Sequence, residues 1–544
     1  LGAGPELVLG AALTCFELGR GHVCLPLNLL TSQGGWRPFG LDPEQSRDLL
    51  GDLADPALWP GLFATSPLVG LEENDGEAPR WPLRLWQERL YLTRYHDFEQ
   101  GVARHLGALS EQAEWPEIAP TLSRLFARDD ALIFSALLEA RLAPDFSAPQ
   151  FVEKYLDLIF PGEVNWPEVE ALLARAQAAS DLAALDALVP EALCCNGQKL
   201  AAATAAARPF AVISGGPGTG KTTTVVRLLA ALLEQPGGER LAIGLAAPTG
   251  KAAARMAEAI RNAKASLPLA DELKALLPEE ARTLHRLLGS RGDSPAVRHD
   301  AARPLALDVL VVDEASMVDL ALMAKLVDAL PPQARLILLG DKDQLAAVEA
   351  GAVFAELCEG RGFDAAAAAE LQRITGQSVP VEAPCSALGD AVVLLTHSHR
   401  FAGDSGIGEL ARRSNAGDAA GTLNLLRENR PDLAWQAEPT QTALLARLEQ
   451  GYLPYLQAAR RGEPAEAFAA FNSFRALTAQ REGPWGVGGI NEALEARIKR
   501  RFSLPERERW YPGRAVMVRQ NDYALGLFNG DIGICLACEY GLRV

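Results

Sequence analysis

No apolar run in this 544-residue chain approaches the roughly 20 residues needed to cross a bilayer. The best candidate, Leu7 to Leu27, is broken by Glu17, Arg20 and His22. The amino end lacks the basic segment followed by an apolar one that marks an export signal, so a cytoplasmic protein with no membrane partner is expected. Cysteine is scarce. Eight residues, unevenly scattered, make no disulfide framework. Cys535 and Cys538 form a single CxxC, but a structural zinc site wants four ligands and no second pair or histidine cluster completes it. Adjacent Cys194 and Cys195 read as small buried apolar residues. Positive charge is also short: 52 Lys and Arg stand against 69 Asp and Glu, a net charge of −17. That balance argues against a broad basic face coating duplex DNA. It leaves room for a protein that grips a few nucleotides in a narrow channel, or whose partners handle much of the nucleic acid.

What is present is a long soluble-type chain, 49% apolar and 22% charged, too long for one hydrophobic core. The first 130 or so residues hold leucine-rich helical stretches such as Leu49 to Leu58 and Gln100 to Leu109, separated by Trp/Pro/Gly turns. No catalytic pattern lies there. Trp36, Trp81 and Trp86 read most simply as core, with a partner-docking surface as the alternative. Proline and irregular polarity at Ala143 to Gln150 and Pro161 to Trp166 read as linker. From about Ala206, short β-rich runs alternate with helical patterns, as in a parallel sheet covered on both faces. The expected strands are Phe210 to Ser214, Leu241 to Ala246, Val309 to Val312 and Leu336 to Leu339. Each runs into a polar motif at its carboxyl end, where open α/β sheets bind ligands. A helix is expected over Ala365 to Ala369, and a second α/β region near Ala391.

Gly215-Gly216-Pro217-Gly218-Thr219-Gly220-Lys221-Thr222 is the GxxxxGK[ST] phosphate loop, directly after a strand and directly before a helical stretch that opens at Thr223. Glycines let the backbone N–H groups turn toward phosphate oxygens, and the following helix end adds a favourable dipole. Lys221 is expected to reach the β and γ phosphates of ATP, and Thr222 to bind Mg2+. The apolar run Val309 to Val312 ends in Asp313 and Glu314, the Walker B arrangement: Asp313 for the Mg2+ shell, Glu314 to polarise the attacking water. An acidic pair alone means little; its place behind a buried strand, after a phosphate loop, is what assigns it.

Further strings discriminate among phosphate-loop proteins. Asn196-Gly197-Gln198-Lys199 resembles the adenine-reading glutamine motif of superfamily-one helicases, with Gln198 on the base. Ala247-Pro248-Thr249-Gly250-Lys251 resembles their motif Ia, and Thr283-Leu284-His285-Arg286 their motif Ib. The resemblance implies strand contacts at Pro248, Thr249, Lys251, Thr283 and His285. Gly340-Asp341-Lys342-Asp343-Gln344-Leu345 looks like motif III, whose glutamine senses the γ phosphate. Ser398-His399-Arg400-Phe401 looks like motif IV, whose arginine reaches the same phosphate; His399 stands where relatives usually have tyrosine. Singly each has a plain reading as a turn, a helix surface or a polar loop. Their order carries the resemblance.

Longer strings are similar to the RecD family of bacterial helicase-nuclease subunits: Gly21-His22-Val23-Cys24-Leu25-Pro26-Leu27, Leu310 to Met317, Arg481 to Val487, and Asn521 to Gly533 with Asn529 as a strand contact. The resemblance implies tandem RecA-like domains: a mainly helical partner-docking domain (1–150), a first motor domain (151–375), and an incomplete second motor domain (376–544) with the start of a small inserted β-barrel. It implies an ATP- and Mg2+-dependent 5′-to-3′ translocase on single-stranded DNA. Such a subunit works beside RecB and RecC at double-strand break ends, in recombinational repair and degradation of foreign DNA, with the nuclease centre in RecB. The chain starts at Leu1 and stops at Val544 inside an apparent β segment. It is therefore expected to be a stretch of a longer protein, lacking two later motifs of its relatives and hydrolysing ATP feebly. Two alternatives stay open: an ATP-binding scaffold that does not step, and a motor on RNA.

Overall fold

A computed structural model describes residues 3–32, 35–72, 81–110, 115–142, 146–290, 294, 296–345, 349–382, 386, 388–397, 405–519, 522, 525–527, 529–539 and 541–544. The chain divides into two compact units, Leu1–Gly403 and Asp404–Val544.

The first unit opens with helix Pro5–Gly19 and a four-stranded sheet of β1 (Cys24–Pro26), β2 (Val69–Gly70), β3 (Leu83–Trp86) and β4 (Arg89–Leu92), in the order β1-β4-β3-β2. Leu25, Leu27, Trp59, Phe63 and Leu90 form its core. Trp36 is buried edge-on against Trp59, while Trp81 and Trp86 are half-buried. The region expected to be mainly helical therefore also carries a small sheet.

The main sheet has β5 (Phe210–Gly215), β6 (Ile243–Ala247), β7 (Arg282–Thr283), β8 (Val309–Val312), β9 (Arg335–Gly340) and β10 (Val392–Leu395). All its pairs are parallel and the order is β10-β5-β9-β8-β6-β7. Alternate residues serve opposite faces. Ala211, Ile213, Val309, Val311, Ile337 and Leu339 join one core, and Phe210, Val212, Leu310, Val312, Leu336 and Leu338 the other. Burial of both faces is why these strands read as continuous apolar runs. The first face is covered by helices Gly197–Ala207, Lys221–Leu233, Gly250–Ser266 and Ala365–Thr375, the second by Thr93–Ser110, Leu284–Leu288 and Leu320–Asp328.

Three expectations differ from this arrangement. Val392–Leu395, assigned to a second α/β region, pairs with β5 and completes the first sheet. Helix Thr93–Ser110, assigned to the N-terminal domain, packs Val102, Leu106 and Leu109 into the main core. The stretches read as linker run into helices: among their described residues, Pro161–Glu163 forms a 3-10 turn, and helices Ala148–Leu156 and Trp166–Arg175, which begin within them, bury Phe151, Val152, Val169 and Leu172 in a helical cluster of their own. Their prolines sit in the first turn, where the missing N–H would have no partner anyway, so they start helices.

In the second unit, helices Gln441–Arg461 and Val487–Arg501 share a core of Leu448, Leu456, Ile490 and Ile498. Two antiparallel pairs follow, β11 (Ala515–Met517) with β12 (Ile532–Ile534), and β13 (Leu536–Cys538) with β14 (Gly541–Arg543). Among the described residues of this unit no parallel pair forms. Among the described residues of the chain, no helix is long and apolar enough to cross a membrane.

Leu106→Ala should cost about 2 to 5 kcal/mol, because Leu106 is 1% exposed in the packing of Thr93–Ser110 on the main sheet's core. A urea titration checks this; loss under about 1 kcal/mol would mean that helix is not part of the core.

Candidate nucleotide and strand site

The phosphate loop is shaped by two glycines in the left-handed region, Gly218 and Gly220, both at φ +81°. A Cβ on Gly220 would lie 2.2 Å from Gln198 Nε2, whereas one on Gly216 would meet no atom within 4 Å. The loop is thus backed by Gln198 on one side and open at Gly216. Gln198 Nε2 donates to Thr219 O at 3.1 Å, and Thr219 Oγ1 donates to Gly216 O at 2.9 Å. Lys221 Nζ lies along the loop, donating to Gly215 O and, at 3.2 Å, to Gly216 O. The helix starts at Lys221 with Gly220 as its cap, which puts Thr222 and Thr223 in its first turn and Pro217 exposed at the loop's crest.

Asp313 follows β8, and its N–H donates to Ala246 O at 2.9 Å, extending the pairing with β6. Glu314 sits at φ +52°, in the left-handed region that non-glycine residues rarely adopt. Its N–H donates to Asp313 Oδ1 at 2.9 Å. Burial pushes the Asp313 carboxyl up, while the Glu314 N–H and Lys221 pull it down. Burial likewise raises Glu314, helped by Asp313 and Asp341 and opposed by Lys221 and Arg255. A carboxylate left short of compensating charge is a hard oxygen donor suited to a divalent cation, and the Thr222 hydroxyl supplies a second donor of the same kind. The residues therefore fit a Mg2+–nucleotide complex.

The strand between the phosphate-loop strand and the acidic strand is β9. Beyond it, buried Asp341 accepts from Asp343 N at 3.1 Å and from Gln344 Nε2 at 3.4 Å, holding an exposed Gln344 beside the acidic cluster's strand edge. Ser214 Oγ on β5 accepts from Lys342 N at 3.1 Å and ties this loop to the phosphate-loop strand.

At the far side of the same edge, β6 and β7 pair Ala246 with Arg282 and Ala247 with Thr283. Thr249 and Thr283 thus follow neighbouring strand ends, and both hydroxyls are helix caps, accepting from Ala252 N and Arg286 N at 3.2 Å. Pro248 is half-buried, and Lys251 and His285 are exposed. The structure brings Gln198, the loop from Gly215 to Thr223, Asp313, Glu314 and Gln344 to one sheet edge, with Thr249 and Thr283 along it. Arg400, with Ser398, His399 and Phe401, lies outside the described residues, and Asn529 belongs to the second unit. The sequence reading did not single out Asp341, Ser214 or Arg255 as site residues. Asp341 and Ser214 carried a usable signal, a polar residue at the end of a buried strand next to the phosphate loop. Cys194 is buried and its thiol is pushed up to about 11, as suits an inert core residue.

Phosphate loop, acidic pair and a third polar loop at the carboxyl edge of an all-parallel sheet define a P-loop nucleotide-binding domain. The family model for an AAA domain matches residues 198–350, and that for the RecBCD enzyme subunit RecD, N-terminal domain, matches residues 2–91. RecBCD enzyme subunit RecD of Mycobacterium tuberculosis is 40% identical over 419 residues, 75% of this chain and 68% of its own length. The chain belongs to the RecD family. RecD of Haemophilus influenzae is 40% identical over 368 residues, covering 62% of this chain, and the ATP-dependent RecD2 DNA helicase of Deinococcus radiodurans is 32% identical over 335 residues, covering 60%. The alignments span 57% and 36% of those two relatives, so the chain spans under two thirds of their length. The AAA match implies use of a nucleotide.

The raised carboxyls set the sign of two pH effects. Asp313 and Glu314 bind protons more tightly folded than unfolded, so they oppose folding increasingly as pH rises from their ordinary range through their raised values. A proton-accepting Glu314 must be ionised, so the acid limb of hydrolysis should lie above the ordinary glutamate range. A pH–rate profile that stays flat down to that range would contradict the assignment.

Proposed function

We propose that the protein is an ATP-driven 5′-to-3′ translocase on single-stranded DNA, the RecD-type motor of a helicase-nuclease that assembles with RecB and RecC at duplex ends. The observation that carries this reading is the convergence of Lys221, Asp313, Glu314 and the Asp341–Gln344 loop at one sheet edge that continues into Thr249 and Thr283. A nucleotide binder needs the first group alone; a motor needs both groups on elements that move together.

In this reading the loop N–H groups from Gly216 to Thr222 hold the phosphates, and Lys221 leaves its loop carbonyls for the β and γ oxygens. Mg2+, held by Thr222 and Asp313, would neutralise phosphate charge. Glu314 accepts the proton of the attacking water, its raised affinity bringing it toward working pH. Gln344, held by Asp341, stands where a change at the γ phosphate is passed along the edge to the strand contacts at Pro248, Thr249, Lys251, Thr283 and His285. Few phosphates are neutralised by so small a basic set, so strand binding is modest and depends on salt. The compartment that fits such a role is the cytoplasm.

Lys221→Gln should abolish ATP hydrolysis and translocation with folding nearly normal. Glu314→Gln should bind nucleotide but lose strand-stimulated hydrolysis by about a hundredfold or more. Steady-state ATPase with and without single-stranded DNA measures both; a Glu314→Gln protein with unchanged stimulation would reduce the protein to a nucleotide-binding scaffold.

A further inference from the structure

The string Gly21-His22-Val23 lies far in sequence from every residue of the ATP site, yet it touches the segment that follows the Gln344 loop. Helix Pro5–Gly19 ends with Arg20 N donating to Glu17 O at 2.9 Å. Gly21, at φ +96°, then turns its carbonyl to accept Gly351 N at 3.0 Å. Gly351 is itself at φ +98°. A Cβ there would lie 2.5 Å from Leu320 Cβ and 3.3 Å from Val23 Cγ1, so no side chain fits between Val23 and the helix that starts at Leu320. Val23 packs on the main core, and Ala350 O accepts from Leu320 N at 3.4 Å.

From Gly351 a short packed path leads back to the site. Helix Val353–Leu357 follows at once, and the ring of Phe354, 1% exposed, lies 2.7 to 3.0 Å from where a Cβ on Gly340 would stand. Gly340 is the last residue of β9, and the next residue, Asp341, holds Gln344 at 3.4 Å. Glu356 on the same short helix also acts on Glu99 of helix Thr93–Ser110. Glu99 and Glu356 are both raised by burial, and Glu356 raises Glu99 further.

We propose that Gly21 and Val23 are positioning residues for hydrolysis: by clamping Gly351 they fix Phe354 under Gly340 and so hold the Asp341–Gln344 loop in register with the phosphate loop. This rests on the functional reading above, in which Gln344 serves the γ phosphate. The N-terminal module is then a working part of the ATP site, because displacements of about an ångström in a positioning shell can cost on the order of a hundredfold in rate. Nucleotide binding, which depends on the phosphate loop, is left alone.

The test is strand-stimulated ATPase of the full-length protein, read as kcat and KM for ATP alongside thermal melting. Val23→Asp should lower kcat by roughly tenfold or more with KM unchanged, Val23→Ala less so, and Val23→Ile should restore it. Leu30→Ala, in the core of the same module, should lower the melting temperature and leave kcat of the folded protein as it was. Combined with Gln344→Ala, Val23→Asp should add no further loss, since both act on one group. A folded Val23→Asp or Val23→Ala protein with normal kcat, or losses that multiply with Gln344→Ala, would overturn the clamp. If Gln344→Ala slows hydrolysis while the Val23 variants do not, only the clamp fails; if the unaltered protein with strand present hydrolyses nothing, the reading of the site fails and the clamp with it.

Discussion

Parallel pairing places every loop that leaves a strand at its carboxyl end on the same edge of the sheet. Here the in-register pairs of β5, β9, β8, β6 and β7 carry, in that spatial order, the phosphate loop, the Asp341–Gln344 loop, the acidic pair, and the Thr249 and Thr283 turns. A slip of one residue would swap the side chains that fill the two cores on either face of the sheet, and would shift each loop along the edge. The apolar residues on both faces of the sheet set the register, and the register sets the site. A net charge of −17 does not decide the matter for this edge, because the local field there is set by the phosphate loop's backbone N–H groups and Lys221.

The same packing sustains two unfavourable features where the chemistry is placed. Glu314 keeps a left-handed backbone, a strain of about 1 to 3 kcal/mol in a non-glycine residue. Its own carboxyl and that of neighbouring Asp313 are both raised by burial. Both are consistent with a group kept out of its most comfortable state so that it can accept a proton and a cation when substrate arrives. The buried strand β8, with all four residues inaccessible, holds them there.

Sequence made the chemistry legible wherever a buried strand ran into a polar motif, as at Ser214–Gly215, Val312–Asp313 and Gly340–Asp341, because a long apolar run followed by glycine or acid has few other uses. It failed where the signal depended on partners far along the chain. Val392–Leu395 looks the same whether it begins a new sheet or closes the old one, and only its pairing with Val212 to Gly215 decides. Pro149 and Pro161 suggested linker because a proline marks a boundary without saying on which side the helix lies. Thr93–Ser110 carries a helical period that any core would accept, and the period does not say which core took it. Gly21 and Gly351 show the limit most clearly. Nothing in the sequence links the two, and only three dimensions reveal that their turns meet.

If nucleotide and strand share this edge, occupancy of one must change affinity for the other, and by the same factor in each direction. The most direct measurement is the affinity for a single-stranded oligonucleotide at fixed salt, with and without a non-hydrolysable ATP analogue, paired with the analogue's affinity with and without the oligonucleotide. The expected result is a matching change of roughly fivefold or more in both. Identical affinities in the two conditions would contradict a shared edge and leave only a nucleotide site.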